Sequence, residues 1–258
     1  MFFHSKVFLL SLIFFVFLES TSSDSASMAL GSAFSNHFWL GLVTIAVLGV
    51  YFYQVAKDIS QKSSMTPMPV LFALSTFGLL YFVQSQIESA ILAVLSALAY
   101  YFIHIALYRL RSYSKDKTAH GIIGAGAVAT IFLFYAMALG IYLNFAISLW
   151  ILMIVLMSVT VLVSFQYLWL LNEDTKKVFS YSLVLGLVMG EIVWVVNFWP
   201  FGYLTSAAVT LIFYYVFWDL VQGHFSDNLS KRRVVSNLIV FSILSAIVLA
   251  SSPWLPVV

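Results

Sequence analysis

The chain contains no cysteine. That excludes disulfides, thiolate metal sites and cysteine nucleophiles, and it leaves the redox compartment unread. Charge is nearly as scarce. Asp, Glu, Lys and Arg make up 9% of the 258 residues, against about 25% in an ordinary soluble protein. A net charge of +2 with no basic stripe excludes a nucleic-acid partner. Also missing are H-E-x-x-H, G-x-S-x-G, a Walker loop, a dinucleotide fingerprint and a D-x-x-D pair. No two of the five histidines stand at ligand spacing. The sequence therefore offers no catalytic set, no metal site and no cofactor site, and it reads as that of a non-enzymatic protein.

What fills the chain instead is apolar. Hydrophobic residues account for 62% of it, and the mean hydropathy is +1.02. They come in separate blocks of about 20 residues, the length of a membrane-crossing helix and about twice that of a barrel strand. The pattern predicts eight spans: Phe38–Val55, Met68–Val83, Ile87–Leu107, Gly121–Leu143, Ala146–Leu171, Val178–Trp199, Tyr203–Val221 and Val235–Ser251. Pro67 and Pro69 suit a first helical turn, Ser85 with Glu88 forms a capping-box pattern, and Pro200, Pro253 and Pro256 close helices.

Ahead of these spans, Lys6 precedes an apolar run from Val7 to Leu18, and a Ser-rich stretch follows. Twelve helical residues reach only about 18 Å, short of the ~30 Å hydrocarbon core. The pattern is that of a secretory signal peptide, with Ser27-Met28-Ala29 at the cleavage position, or of a short uncleaved anchor. The expected fold is thus an all-α polytopic bundle of eight transmembrane helices. Residues 30–258 form its single membrane domain, and residues 1–29 form the leader or anchor.

Eleven of the twelve Lys and Arg residues fall in the connections after the first, third, fifth and seventh spans, and Lys6 is the twelfth. Basic residues in short loops mark the cytoplasmic side. The expected protein is therefore a multi-pass cell-membrane protein with cytoplasmic basic loops and its C-terminus outside. Trp39, Trp150, Trp199 and Trp254 near the other helix ends, with Trp169 and Trp218 near the basic ends, form the two belts expected of interfacial rings. Its one assured partner is the lipid bilayer.

Few residues could carry chemistry. Glu191 lies deepest, about 20 Å along its span from Val178. An acid at a helix centre disfavours insertion by roughly 2.5–3.5 kcal/mol, so Glu191 is expected to face protein or a water-filled cavity. Ser182, Gly186 and Gly190 recur every four residues and predict a helix–helix contact, with Glu191 about 100° around from Gly190. Asn197 follows near the same end. Asp219 and His104 lie at similar depths near the basic ends of their helices. They would form an acid–imidazole pair if those helices touch, and otherwise meet interfacial water.

The segment E-I-V-W-V-V-N-F-W-P-F-G from Glu191 to Gly202, the Tyr214-Tyr215 helix and Lys231-Arg232-Arg233 resemble a family of uncharacterised bacterial multi-pass membrane proteins. The resemblance covers the C-terminal third. It implies a single membrane domain in a prokaryotic cell membrane and carries no catalytic or binding role. The expected function is passage of a small solute or ion through the helix bundle, with Glu191 as the coupling or substrate-contact residue. The alternative is a non-catalytic assembly or scaffold subunit packed through its small-residue faces.

Overall fold

The computed structural model describes residues 2–22, 38–83, 85–113, 115–145, 147–172, 174–225 and 229–251. Ser27-Met28-Ala29, Pro253, Trp254 and Pro256 lie outside these. Among the described residues every regular element is a helix. In chain order these are α1 (Phe2–Ser22), α2 (Phe38–Ser60), a 3-10 turn (Ser63–Met65), α3 (Pro67–Leu80), α4 (Gln86–Ser112), α5 (Lys117–Phe145), α6 (Leu149–Leu171), α7 (Thr175–Val196), α8 (Tyr203–Phe225) and α9 (Lys231–Ser251). Each of the eight expected spans lies mainly on a helix, with Val83 past the end of α3 and Ala146 outside the described residues, and the fold is an all-α bundle.

Seven of the described helical stretches are long and apolar enough to cross a membrane; they are His4–Thr21 of α1 and stretches on six of the eight expected spans, those on α2 and α9 not being among them. Their outward residues are those lipid accommodates. On α4, Ile91, Val94, Leu95, Leu98 and Phe102 are all exposed.

The first helix is longer than its apolar run. Helix formation carries past Leu18 through Glu19 and Ser20 to Ser22, and 21 residues of α-helix span about 31 Å, not the ~18 Å expected. Ser20 and Thr21 support that extension by donating to the carbonyls of Phe17 and Leu18 at 2.8 Å each.

The chain forms two compact units, Met1–Gly126 and Ala127–Val258, the division falling within α5. In the first unit α1 packs chiefly against α4, and α2, α3 and α4 all touch one another. Ser11 Oγ donates to the carbonyl oxygen of Ala97 at 2.6 Å. Phe14 stacks on Tyr100 at 4.5 Å and meets the edge of Phe52 at 5.7 Å. Gly126 allows α5 to come close, since a Cβ there would stand 3.0 Å from Ile103 Cγ1 and 3.2 Å from Met68 Cε.

Helix ends in this unit follow local chemistry. α2 stops at Gln61, whose φ of 54° is left-handed and whose amide reaches the Lys57 carbonyl at 2.8 Å. That is the usual reversal past a helix C-terminus. Pro67 occupies the first turn of α3, where its missing N–H costs nothing. Ser85 caps α4 by accepting from the Glu88 amide, at a long 3.5 Å. Asp116 opens α5 more firmly. Its Oδ1 accepts from the amides of Thr118 and Ala119 at 3.0 and 3.1 Å, and its Oδ2 meets Arg109 Nη2 at 2.7 Å. The Ala119 amide foremost, together with Arg109 and the Thr118 amide, holds the Asp116 carboxyl below the usual carboxylate range.

In the second unit α6 and α7 form the most extensive pairing, and α8 touches α6, α7 and α9. Asp174 caps α7, accepting from the amides of Lys176 and Lys177 at 3.1 and 3.2 Å. α7 ends at Val196, three residues before the expected Trp199. The cause is Pro200, which pushes the preceding residue away from helical geometry. The amides of Phe198 and Trp199 accordingly tighten onto Val195 and Val196 at 3.2 and 3.0 Å.

Candidate functional site

α7 is apolar on both sides, and packing decides which way it turns. Ser182, Leu185, Gly186, Met189, Gly190, Val193 and Val196 are buried, and the partner of this face is α6. A Cβ on Gly186 would meet Val161 Cγ2 at 2.5 Å and the Met157 carbonyl oxygen at 3.0 Å, whereas one on Gly190 would stand 3.9 Å from Met157 Cβ. Close backbone approach is therefore required at Gly186 and not at Gly190. Ser182 Oγ is buried there without a hydrogen-bond partner.

That rotation sends Glu191 outward. Its side chain is exposed, and it shares the outward face with Val184, Leu187, Trp194, Val195 and Phe198, all exposed. Trp194 and Phe198 meet edge to face at 5.4 Å along it. Among the described residues no helix of this chain covers Glu191: the small-residue stripe claims the packed side, and the acid lies about 100° around from it. Asn197, half-buried, is the C-cap of α7, its amide bonded to the Val193 carbonyl at 3.0 Å.

Asp219 has partners that the sequence reading did not find. Arg233 on α9 donates through Nε to Oδ2 at 2.9 Å and through Nη2 to Oδ1 at 2.6 Å. Asn237 Nδ2 donates to Oδ2 at 2.6 Å. One turn after Asp219, Gly223 leaves room for the guanidinium, whose Cζ would lie 3.3 Å from a Cβ at that position. The carboxylate is thus fully engaged as a structural clamp between α8 and α9. The signal was present in the sequence, since an antiparallel hairpin turning between α8 and α9 brings Asp219 level with the Lys231-Arg232-Arg233 run.

His104, expected at interfacial water if unpaired, is buried instead. It belongs to the first unit and is 1% exposed. Its Nδ1 lies 2.8 Å from the Tyr100 carbonyl oxygen. Since only a protonated nitrogen can donate to that oxygen, Nδ1 carries the proton and Nε2 the lone pair. Nε2 is buried with no hydrogen-bond partner, and the ring lies 4.1 Å from that of Tyr100.

The interior of the second unit holds a row of hydroxyls. Thr160, Ser164 and Tyr167 stand at i, i+4 and i+7 on α6 and are all buried. Thr160 donates to the Leu156 carbonyl at 2.7 Å and lies 2.6 Å from the hydroxyl of Tyr135 on α5, which therefore donates to it. Ser164 lies 3.2 Å from the Tyr214 hydroxyl on α8, and Tyr167 packs against Trp218 at 4.9 Å. The row runs from midspan toward the end where Asp219 and Arg233 meet. Among the described residues, no three His, Asp or Glu side chains come together as a metal site.

The model of a family described as "Protein of unknown function (DUF5656)" matches residues 25–251. The match takes in α2 through α9, well beyond the C-terminal third that carried the resemblance. No curated protein and no solved structure matches the chain.

Proposed function

The chain belongs to that family of unknown function, and we propose that it is a non-catalytic assembly subunit of a membrane complex, joined to its partner through the Glu191 face of α7. One observation carries this reading: the carboxyl of Glu191 is exposed on an otherwise apolar face of a membrane-length helix. Left against lipid, an acid there costs roughly 2.5–3.5 kcal/mol, and a protein neighbour that hydrogen-bonds it removes the penalty. Positive-inside logic orients the subunit with its Lys- and Arg-bearing helix ends toward the cytoplasm and its C-terminus on the opposite side.

The test is the mass of the particle that full-length protein forms when extracted gently from its own membrane. The expected wild-type particle is larger than one chain with its detergent, and Glu191→Leu reduces it to one chain. A wild type that migrates as a single chain sinks the reading.

Passage of a small solute or ion is the second reading, favoured by the buried row of Thr160, Ser164, Tyr167, Tyr135 and Tyr214. Flux into liposomes that falls in Tyr135→Phe and Tyr214→Phe, with folding intact, is its test.

A further inference from the structure

Resting on the assembly reading, we propose that the occupant of the Glu191 face is a transmembrane helix of a different membrane protein, one that carries a lysine or arginine within its span at the depth of Glu191.

Glu191 lies below the end of its helix. Glu191 stands five residues before Val196, the last of α7, or about 7.5 Å inside the helix end. The chain beyond is still apolar and aromatic, with Phe198, Trp199 and Phe201. Helical side chains lean toward the helix N-terminus, which for Glu191 is the direction of greater depth.

The surroundings of Glu191 are apolar as well. On the helix surface Glu191 adjoins Leu187, Val188, Trp194 and Val195, at three and four residues on either side. All four are apolar. Among the described residues no hydrogen bond or ion pair reaches its carboxyl. The chain thus supplies a large apolar contact around one acceptor and no donor of its own.

The placement of the cations separates a foreign helix from a second copy. Within α7 the cations Lys176 and Lys177 lie at the opposite end, about 21 Å from Glu191 at 1.5 Å per residue. In the positive-inside orientation every other Lys and Arg belongs to the cytoplasmic side, in or beside a connection except for Lys6 near the start of α1. A second copy in the same orientation therefore brings neither a lysine nor an arginine to Glu191. A basic residue inside another protein's span carries the matching penalty, and pairing relieves both charges at once.

The test uses full-length protein in phosphatidylcholine vesicles, with a donor fluorophore on a C-terminal fusion. The probes are synthetic 22-residue leucine-rich helices bearing an acceptor fluorophore. Each has Lys, Leu or Glu five residues from one end. The Lys helix is expected to associate about tenfold more strongly than the Leu helix. Glu191→Leu is expected to erase that preference, and the Glu helix to do no better than Leu. Equal association of the Lys and Leu helices overturns the proposal, as does a preference that survives Glu191→Leu. The strongest association with the Glu helix overturns it in favour of a second copy. A Lys preference abolished by adding phosphatidylethanolamine overturns it in favour of an amine headgroup. If the probes show no preference while the native particle still collapses in Glu191→Leu, the basic partner falls and the assembly reading stands.

Discussion

Arg233 grips Asp219 with both arms of its guanidinium fork, Nε to Oδ2 at 2.9 Å and Nη2 to Oδ1 at 2.6 Å. Asn237 adds a third donor at 2.6 Å. A planar fork matched to a carboxylate holds geometry as well as charge, so α8 and α9 are fixed in register. Removing either partner strands the other. Asp219→Ala and Arg233→Ala should each destabilise by about 1–3 kcal/mol, and the double variant should be little worse than either alone. Thermal unfolding of the four proteins in one detergent measures this, and additive losses would show that the two residues act separately.

Gly186 and Gly190 belong to one stripe but differ in the space beside them. Gly186→Ala drives a methyl to within 2.5 Å of Val161 Cγ2 and 3.0 Å of a backbone oxygen. Overpacking of that kind costs about 1–3 kcal/mol. Gly190→Ala meets its nearest neighbour at 3.9 Å and gains helix propensity, so it should be neutral or slightly stabilising. Equal effects at the two positions would contradict the observed fit of α6 against α7.

The Tyr135 hydroxyl donates to Thr160 at 2.6 Å with both groups fully buried. Tyr135→Phe should cost about 1 kcal/mol and leave Thr160 bonded to its own helix. Tyr214→Phe, which gives up a longer bond of 3.2 Å to Ser164, should cost less. Unfolding midpoints of the two variants in detergent decide the order.

Asp116 supplies the pH dependence. Its folded carboxyl is held below the usual range, while an unfolded aspartate titrates near pH 3.9. Its contribution is therefore present above the unfolded value and lost as pH falls through the folded one. The stability advantage of wild type over Asp116→Asn should be constant from about pH 7 to about 5 and shrink below about pH 4. An advantage unchanged down to pH 3 would mean that the amide caps α5 as well as the carboxylate does.

Phe14 ties α1 to the first unit, 2% exposed between Tyr100 and Phe52. If α1 stays in the mature protein, Phe14→Ala should destabilise it by about 3 kcal/mol, and intact-mass analysis should find α1 present. A mature mass beginning near residue 30, with Phe14→Ala silent, would instead mark α1 as a removed leader.

The sequence showed the helices plainly because runs of about 20 apolar residues have no other stable use in a membrane. It showed the stripe of Ser182, Gly186 and Gly190 because small residues at four-residue spacing have one common meaning. The direction of Glu191 was harder to read. α7 is apolar on every side, so amphipathicity leaves its rotation open, and only the position of Gly186 beside Met157 and Val161 fixes it. His104 was misjudged for a related reason. Its distance from a helix end says how deep it lies, whereas its burial depends on which residues of α1, α2 and α3 close over α4. The Asp219–Arg233 pair was half legible: the hairpin brings the two level, but Gly223, which leaves space for the guanidinium, takes its meaning only from packing.

The most direct test of the central claim uses the absence of cysteine. Leu187→Cys and Trp194→Cys would each place a single thiol on the Glu191 face, and Ile243→Cys a control on the exposed face of α9. Reaction with a membrane-soluble maleimide is followed in native membranes and again after purification in detergent. The assembly account predicts that residues 187 and 194 are protected in native membranes and released on purification, while 243 reacts freely in both. Full reactivity at 187 and 194 in native membranes would show that nothing but lipid covers Glu191, and the account would be wrong.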